Sequence, residues 1–258
     1  MKNLFVITAC LLFNFSFSQE GAIVSMHAVY VEGDLEAFEK VETVYMSKVA
    51  QKAALNGDIG AWNFLKVYRS DNLNDEQEYN YMFVQSAPDL DSFLSDRAAW
   101  WNMAQEVLSK KELNELTELQ SKFTWKKDVR VIYRLETGIW NANDSSDYSN
   151  SIIQFNFAKP INAAAFIDEN RTLWKPFFIE NSENMNLLSW GAASKIHPTN
   201  GDWASVMSWD MFKSLKDLFK YRLGEGIEWP SESKMAEIMP DGFTQTTVLQ
   251  WLAGASSN

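Results

Sequence analysis

The amino-acid sequence predicts an α+β fold in which a β-α-β-β-α-β unit occurs twice in one chain. Two observations lead to this prediction: segments with strand and helix periodicity follow one another in that order, and the second half aligns with the first at a nearly constant offset. The eight predicted strands cover residues 22–31, 60–69, 79–86, 128–136, 151–158, 187–196, 203–210 and 244–252. The four predicted helical regions cover residues 35–55, 89–122, 162–180 and 213–239.

The beginning of the first helical region matches the beginning of the third at an offset of 128 residues. Asp34 aligns with Asn162, and both are favourable N-caps because a short polar side chain can accept hydrogen bonds from the first-turn amides. At the same offset Trp62 aligns with Trp190, in the second strand of each half. Matching caps and matching aromatic positions indicate that the two halves share one fold.

The alignment continues past the loop between the second and third strands, where the offset becomes 125. Asp89 then meets Ser214, and both are again residues that cap helices. At the offset of 128, His27 in the first strand aligns with Phe155. A polar segment rich in Asn, Asp and Ser separates the halves and is typical of a linker. The predicted organisation is a first repeat at 19–140, a linker at 141–150 and a second repeat at 151–258.

The first 18 residues have the layout of a secretory signal peptide. Lys2 supplies a positive start, a short apolar run follows, and the small residues Ser16 and Ser18 precede the cleavage site. Cleavage after Ser18 predicts a periplasmic or secreted bacterial protein. A lipoprotein processed at Cys10 is the disfavoured alternative, because the apolar residues 11–17 would then stand where a lipoprotein usually has a polar tether.

The composition is that of a packed globular protein, and the charge narrows the range of partners. Hydrophobic residues make up 46% and charged residues 22% of the 258 residues. The net charge of -11 disfavours binding to nucleic acid and to anionic lipid. Charged residues interrupt every apolar run after the signal segment, so no membrane span is predicted. We therefore expect a small-molecule ligand.

The chain has few residues suited to metal or nucleophilic chemistry, with two histidines and one cysteine. The sequence contains no HExxH, CxxC, GxSxG or phosphate-loop motif. Their absence disfavours zinc enzymes, α/β-hydrolases and the common nucleotide-binding enzymes. We therefore predict no metal site and no cofactor. Haem ligation by His27 or His197 is kept as an alternative.

A β-α-β-β-α-β unit is ferredoxin-like, and it places both helices on one face of an antiparallel sheet. The other face needs a cover if it is apolar. Trp62, Phe64 and Tyr68 share a face of one predicted strand, and Tyr81 and Phe83 share a face of the next. With two copies in one chain, the simplest cover for this aromatic face is the sheet of the other copy.

With this element order, duplication and aromatic sheet face, the chain resembles the dimeric α/β-barrel superfamily. In that superfamily two ferredoxin-like units join their sheets around a shared cavity. It includes small antibiotic-biosynthesis monooxygenases, EthD-like and NIPSNAP-like proteins, and haem-handling relatives of chlorite dismutase. The resemblance implies two tandem repeats packed sheet to sheet as an intramolecular α/β barrel in a monomer. It implies no particular activity, because no signature motif accompanies it.

Polar side chains that alternate with large aromatics on the predicted inner strands indicate a cavity between the sheets. The leading hypothesis is an exported protein that binds a small apolar or aromatic ligand there, with or without a negative group. One alternative is a cofactor-independent enzyme of the monooxygenase or EthD-like type, with His27 as a weakly indicated base. Another is a structural or interaction module with a filled barrel. The candidate ligand-binding residues are His27, Trp62, Lys66, Tyr68, Tyr81, Arg130, Arg134 and Trp190.

Overall fold

The computed structural model describes residues 20–68, 79–142, 148–199 and 203–256. The strands in this part of the chain are β1 (Ile23–Gly33), β2 (Ala61–Val67), β3 (Tyr81–Ala87), β4 (Phe123–Trp140), β5 (Ile152–Ala158), β6 (Leu187–His197), β7 (Val206–Phe212) and β8 (Gln245–Ser256). They close into a barrel in the order β1-β3-β2-β8-β5-β7-β6-β4, and neighbouring strands are antiparallel.

The helices cover the outside of the barrel. They are α1 (Leu35–Lys40), α2 (Ser47–Asn56), α3 (Leu90–Leu94), α4 (Ala104–Val107), α5 (Lys110–Gln120), α6 (Ala163–Glu169), α7 (Lys175–Met185), α8 (Leu215–Leu223) and α9 (Met235–Ile238). The π-helical turns Val41–Met46 and Asn170–Trp174 connect α1 to α2 and α6 to α7. Two 3-10 turns, Asp96–Ala98 and Trp100–Met103, lie between α3 and α4. None of the described helices is both long and apolar enough to cross a membrane.

The strand order is the same in both halves of the barrel. Repeat 1 contributes β4-β1-β3-β2 and repeat 2 contributes β8-β5-β7-β6, with the halves joined where β2 pairs with β8 and β4 with β6. The predicted α+β barrel of two tandem ferredoxin-like units is therefore confirmed, and a single chain closes it. The predicted signal segment and residues 143–147 of the predicted linker lie outside the described residues.

Equivalent side chains cap the helices of the two repeats, which explains why α1 and α6 begin where they do. Asp34 and Asn162 each accept a hydrogen bond from the backbone N–H three residues later, at 3.0 and 3.1 Å. Asp89 and Ser214 cap α3 and α8 in the same way, at 2.7 and 3.2 Å. The four predicted N-caps are confirmed.

The first strands of the repeats correspond at a different offset from the predicted one. His27 pairs with Phe83 across β1 and β3, and Asn156 pairs with Ser208 across β5 and β7. Asn156 is therefore the counterpart of His27, and the predicted match of His27 with Phe155 is wrong by one residue. Repeat 1 has one additional residue between this strand position and the helix cap, which a constant offset cannot show.

Apolar side chains from all eight strands meet inside the barrel in one cluster, to which β1 contributes Met26 and β2 contributes Leu65. The indole of Trp209 lies so close to Gly191 on the neighbouring strand that a Cβ there would overlap it. The fully buried Tyr133 hydroxyl has no hydrogen-bond partner among the described residues. The space between the sheets is thus occupied mainly by apolar side chains.

The aromatic face of repeat 1 is turned towards the helices and away from the second sheet. Trp62, Phe64 and Phe83 belong to the cluster formed by this sheet and its helices. Phe38 of α1 packs edge-on against Phe64, with ring centroids 5.6 Å apart. The expectation that this face meets the other sheet is wrong. A period of two shows which residues share a face, but the face that receives the helices is decided by packing.

Candidate functional site

A cavity of about 550 Å³ lies in repeat 2, between the outer face of the sheet and the helices that cover it. The sheet provides its floor, the segment from α6 to α7 provides one wall, and the chain from α8 onwards provides the other. The lining residues are Gln154, Asn156, Phe166, Asn170, Trp174, Phe178, Trp190, Ser208, Asp210, Tyr221, Arg222, Trp229, Met235, Met239, Phe243 and Thr246.

A buried carboxylate, Asp210 of β7, stands on the floor of this cavity with only 2% of its surface exposed. Its Oδ2 accepts hydrogen bonds from the side-chain amides of Asn156 at 2.6 Å and Gln154 at 3.1 Å. Its Oδ1 accepts a hydrogen bond from the Tyr221 hydroxyl at 3.2 Å. These donors compensate part of the cost of burying a charge, and they hold the carboxylate in one orientation.

Two further hydrogen bonds fix the orientation of the side-chain amides of Asn156 and Gln154. Thr246 donates to Asn156 Oδ1 at 3.2 Å, and Arg222 Nε donates to Gln154 Oε1 at 2.7 Å. Both amide oxygens are thereby occupied, so both amide nitrogens face the carboxylate of Asp210. The floor is a connected polar network inside an otherwise aromatic cavity.

Burial decides the protonation of this network. It raises the pKa of Asp210 to about 6, although the hydrogen bonds from Asn156, Gln154 and Tyr221 and the charge of Arg222 act in the opposite direction. Burial and the adjacent carboxylate also raise the pKa of Tyr221 well above its ordinary value. Near neutral pH the floor therefore holds an ionised carboxylate beside a neutral phenol.

Aromatic rings form the walls. Phe178 and Trp190 stack with ring centroids 4.8 Å apart, and Tyr221 meets Trp229 edge-on at 5.4 Å. Trp229 is 41% exposed and Arg222 is also exposed, so both stand where the cavity meets solvent. Such walls suit a flat apolar molecule, and an arginine at the opening suits a negative group on that molecule.

A second buried carboxylate, Glu169 at the end of α6, holds the wall in place. It accepts hydrogen bonds from Ser233 Oγ at 2.6 Å and from the backbone N–H of Lys234 at 3.1 Å. It also accepts one from Trp174 Nε1 at 3.3 Å. Glu169 therefore positions the indole of Trp174 and ties the chain before α9 to the helical wall.

The counterpart of this cavity in repeat 1 is filled. Strand pairing places Phe64 opposite Phe83 in repeat 1 and Ala192 opposite Ser208 in repeat 2. Phe64 and Phe83 stack at 5.2 Å within the core of repeat 1. Ser208 has no ring and lines the cavity, whereas Ala192 is fully buried in a cluster with Phe166.

A third ring is also missing from repeat 2, because Tyr81 of repeat 1 corresponds to Val206, which is buried beside Ala192 and does not line the cavity. The sequence contained the signal for this difference. At the offset of 125, Phe83 falls on Ser208, and Gln85 falls on Asp210.

Of the eight candidate residues chosen from the sequence, Trp190 alone lines this cavity. Trp62 and Tyr81 pack in the core of repeat 1. Lys66 Nζ forms an ion pair with Glu39 at 2.6 Å, and the Tyr81 hydroxyl donates to the same carboxylate at 2.7 Å. Tyr68 is 43% exposed. Trp62, Lys66 and Tyr81 lie on the helical side of repeat 1, because the faces of β2 and β3 that carry them receive the helices.

The remaining three candidates lie along β1 and β4, also outside the cavity. His27 Nε2 contacts Asp128 at 2.9 Å, and Arg130 lies 3.4 Å from His27 Nδ1. Burial is the main cause that lowers the pKa of His27. Arg134 pairs with Glu136 at 2.7 Å. The structure therefore does not bring the predicted set together, because its members sit on the outer face of repeat 1 or in exposed positions of β4.

Neither histidine lines the cavity, since His27 is in repeat 1 and His197 is exposed at the end of β6. A haem held in this cavity through a histidine does not fit the residues present. Within the described ranges, no group of three or more His, Cys, Asp and Glu side chains is arranged to hold a metal ion.

Comparisons with known proteins reveal the fold. No protein-family model matches the chain, and no curated protein matches it. A candidate monooxygenase from Fusobacterium nucleatum aligns over 92% of this chain and 94% of its own, with a TM-score of 0.56 and 9% identity. An anthrone oxidase-like protein aligns over 93% and 94%, with a TM-score of 0.53 and 10% identity. A chlorite dismutase from Candidatus Nitrospira defluvii aligns over 90% and 92%, with a TM-score of 0.44 and 12% identity.

Identities this low show the fold alone. The fold is that of the dimeric α/β-barrel proteins. The predicted resemblance is confirmed at this level.

Proposed function

We propose that this protein is exported and binds a small planar aromatic ligand in the cavity of repeat 2. The observation that carries the proposal is a cavity of about 550 Å³ with aromatic walls and one polar floor. Ligand sites in proteins are concave and mostly apolar, with a few polar groups that fix orientation, and they commonly enclose about 300–1,000 Å³. The comparison structures contribute the barrel fold and nothing about the ligand.

Arg222 and the floor define the polar ends of the ligand. The guanidinium at the opening favours a negative group, since its Nε is already bound to Gln154 and its terminal nitrogens make no hydrogen bond with a described residue. The amides and carboxylate of the floor favour a ligand whose buried end can exchange hydrogen bonds. A system of two fused rings carrying a carboxylate supplies the flat apolar body and the negative group, and a hydroxyl at its far end would meet the floor.

The binding test uses 2-naphthoate as the probe and tryptophan fluorescence as the readout, because Trp174, Trp190 and Trp229 line the cavity. We expect saturable quenching. Ser208→Phe places in repeat 2 the ring that repeat 1 has at Phe83, and it should weaken binding at least tenfold, about 1.4 kcal/mol. Absence of saturable quenching in the unaltered protein, or equal binding by Ser208→Phe, contradicts the proposal.

Ser121→Phe is the matched control, since it makes the same change at an exposed position at the end of α5. It should bind the probe as the unaltered protein does. Export is tested separately by expressing the full chain in a Gram-negative host and measuring the intact mass of the periplasmic product. Cleavage after Ser18 leaves Gln19 as the first residue, whereas an uncleaved cytoplasmic product contradicts export.

A further inference from the structure

We propose that Asp210 is a catalytic base, and that the cavity of repeat 2 acts on aromatic ketones that can enolise. This inference rests on the proposed function, because it assigns a chemistry to the same ligand site. It follows from the free acceptor capacity of Asp210, from the choice of a carboxylate where the fold requires none, and from the arginine beside it, which can stabilise a negative oxygen.

The carboxylate of Asp210 retains room for one more partner. Oδ2 is occupied by two amide donors, at 2.6 and 3.1 Å. Oδ1 accepts only the longer bond from Tyr221, at 3.2 Å. Because a carboxylate oxygen can accept two hydrogen bonds, Oδ1 is the atom that can take a proton from a ligand in the cavity.

The fold does not require a charge at this position. The counterpart of Asp210 in repeat 1 is Gln85, paired with Trp62 as Asp210 is paired with Trp190. Gln85 accepts a hydrogen bond from Trp100 Nε1 at 3.0 Å, so a neutral acceptor is sufficient there. An ionisable group kept in a buried cavity at a cost in stability is a common property of catalytic sites.

Of the groups around Asp210, Arg222 can stabilise the anion that proton removal creates, and the others hold the carboxylate itself. Gln154 and Asn156 face it from β5 and are neutral donors. From α8, Tyr221 supplies a neutral hydroxyl, and Arg222 supplies the positive charge nearest the carboxylate. The terminal nitrogens of Arg222 are available for an oxyanion, since among the described residues they make no hydrogen bond.

The chemical step needs no oxidant and no cofactor. The carboxylate of Asp210 takes a proton from the carbon next to the ketone, and the C–H electron pair forms the C=C bond of an enolate. The former carbonyl electrons move to oxygen, which Arg222 stabilises as the charge develops. Asp210 then returns the proton to the same carbon or to a conjugated one, so the net reaction is exchange or isomerisation.

The protonation state supports this role. Burial raises the pKa of Asp210 to about 6, which leaves the carboxylate ionised at neutral pH while strengthening it as a base. Glu169, the other buried carboxylate of the cavity wall, is held by Ser233 and the backbone of Lys234, so its oxygens are committed to positioning.

The experiment follows exchange of the C1 protons of 2-tetralone in deuterated buffer by proton NMR, with binding of 2-tetralone measured by tryptophan quenching. The unaltered protein should accelerate exchange over buffer at equal pH. Asp210→Asn should lower that acceleration about 100- to 10,000-fold while binding changes by less than tenfold. Arg222→Gln should lower it at least tenfold. Asp168→Asn removes the same charge from an exposed position of α6 and should exchange as the unaltered protein does.

The pH profile of the unaltered protein decides the question even if Asp210→Asn does not fold, which near-ultraviolet circular dichroism reports. The rate should rise with pH and level off with a midpoint near 6. Binding without acceleration, unchanged acceleration in folded Asp210→Asn, or a rate that follows hydroxide with no midpoint overturns the base. Those results leave the binding function intact. If 2-naphthoate binds and 2-tetralone does not, the ketone class is wrong; if neither binds, both proposals fail.

Discussion

In the layer between sheet and helices, repeat 1 has aromatic rings at three positions where repeat 2 has none. Repeat 1 has a solid core in this layer, whereas repeat 2 has a cavity. Repeat 1 has Phe64 and Phe83 beneath its helices, where both are buried in stacked contact. Repeat 2 has Ala192 and Ser208 at the paired positions. Protein interiors are close-packed, so a ring that is lost without replacement leaves space, as it does at Ser208. A duplicated scaffold can therefore keep one copy packed while the other forms a site.

The buried carboxylates differ as well. Repeat 1 buries Glu42 in its π-helical turn, and the corresponding residue of repeat 2 is Asn170, which donates to the carbonyl of Phe166 at 2.7 Å. Repeat 2 instead buries Asp210, where repeat 1 has the neutral Gln85. Among the buried acids of the two repeats, Glu42 and Asp210 each stand where the other repeat has a neutral residue, and Asp210 lines the cavity.

The largest predicted effect is the change in the free energy of unfolding with pH that Glu42 causes. Burial raises its pKa to about 8 from the ordinary 4.5, so the folded state binds this proton more tightly than the unfolded state does. Stability should therefore fall as pH rises from about 4.5 to about 8, by at most about 5 kcal/mol. Glu42→Gln should remove this contribution to the pH dependence of stability. Urea unfolding at pH 5, 7 and 9 measures it.

Glu36→Gln is the control for that series, because Glu36 is an exposed residue of the neighbouring helix α1. It should keep the pH dependence of the unaltered protein. If Glu42→Gln has the same slope as the unaltered protein, the buried acid of repeat 1 does not carry the effect.

The next largest predicted effect is the loss of stability when a ring is removed from the core of repeat 1. Phe64→Ala should lower the free energy of unfolding by about 3–5 kcal/mol, because it removes a buried ring from between Phe38 and Phe83. The same change at Phe219, which is 46% exposed on α8, should cost less than about 1 kcal/mol. Urea unfolding of both variants gives the comparison. A loss below about 1 kcal/mol for Phe64→Ala would mean that repeat 1 tolerates a cavity as repeat 2 does.

A smaller pH effect is expected from the cavity itself. The pKa of Asp210 is raised to about 6 from the ordinary 3.8, so stability should fall as pH rises between about 4 and 6, by about 3 kcal/mol. Asp210→Asn should lose this part of the slope and keep the part that Glu42 contributes, and Asp168→Asn should follow the unaltered protein. Thermal unfolding across pH 4 to 7, without ligand, provides the measurement. Parallel curves for all three proteins would show that Asp210 is not desolvated.

The smallest predicted effect is the loss of stability when a helix N-cap is removed, and it should be equal in the two repeats. Asp34→Ala and Asn162→Ala each remove one N-cap hydrogen bond, of 3.0 and 3.1 Å. Each should cost about 1 kcal/mol, measured by urea unfolding. The two losses should agree within about 0.5 kcal/mol, the usual scatter between independent sites. A clear inequality would mean that the repeats differ at their caps as well as in their cores.

The sequence predicted the fold well because its signals are local. Eight strand segments, the order of the elements and four N-caps follow from residues close together in the chain. Some boundaries differ from the prediction. β4 begins at Phe123, whereas the predicted strand began at residue 128, and the predicted helical region 89–122 is broken by 3-10 turns. Phe123 joins the strand because it packs against Phe38, with centroids 5.0 Å apart, a contact distant in sequence.

The site was predicted less well, for a different reason. Trp190 was chosen because it matches Trp62, and it does line the cavity. His27 and Lys66 were chosen as polar residues among aromatics, but their strand faces lie against the helices of repeat 1, where each has a carboxylate partner. Asp210 was missed because it lies within a strand whose other residues are apolar or small.

The sequence by itself determined the duplicated element order, the helix caps and the equivalence of Trp62 and Trp190 in the two repeats. These features depend on periodicity and on single residues. The tertiary structure decided which face of each sheet receives helices and where space remains. A cavity forms where side chains from several segments together leave space, here between Ser208 and Asp210 of the sheet and the helices that cover them. Their combined effect exists only after those segments have packed together, and the polar groups of the floor acquire their protonation only from that burial.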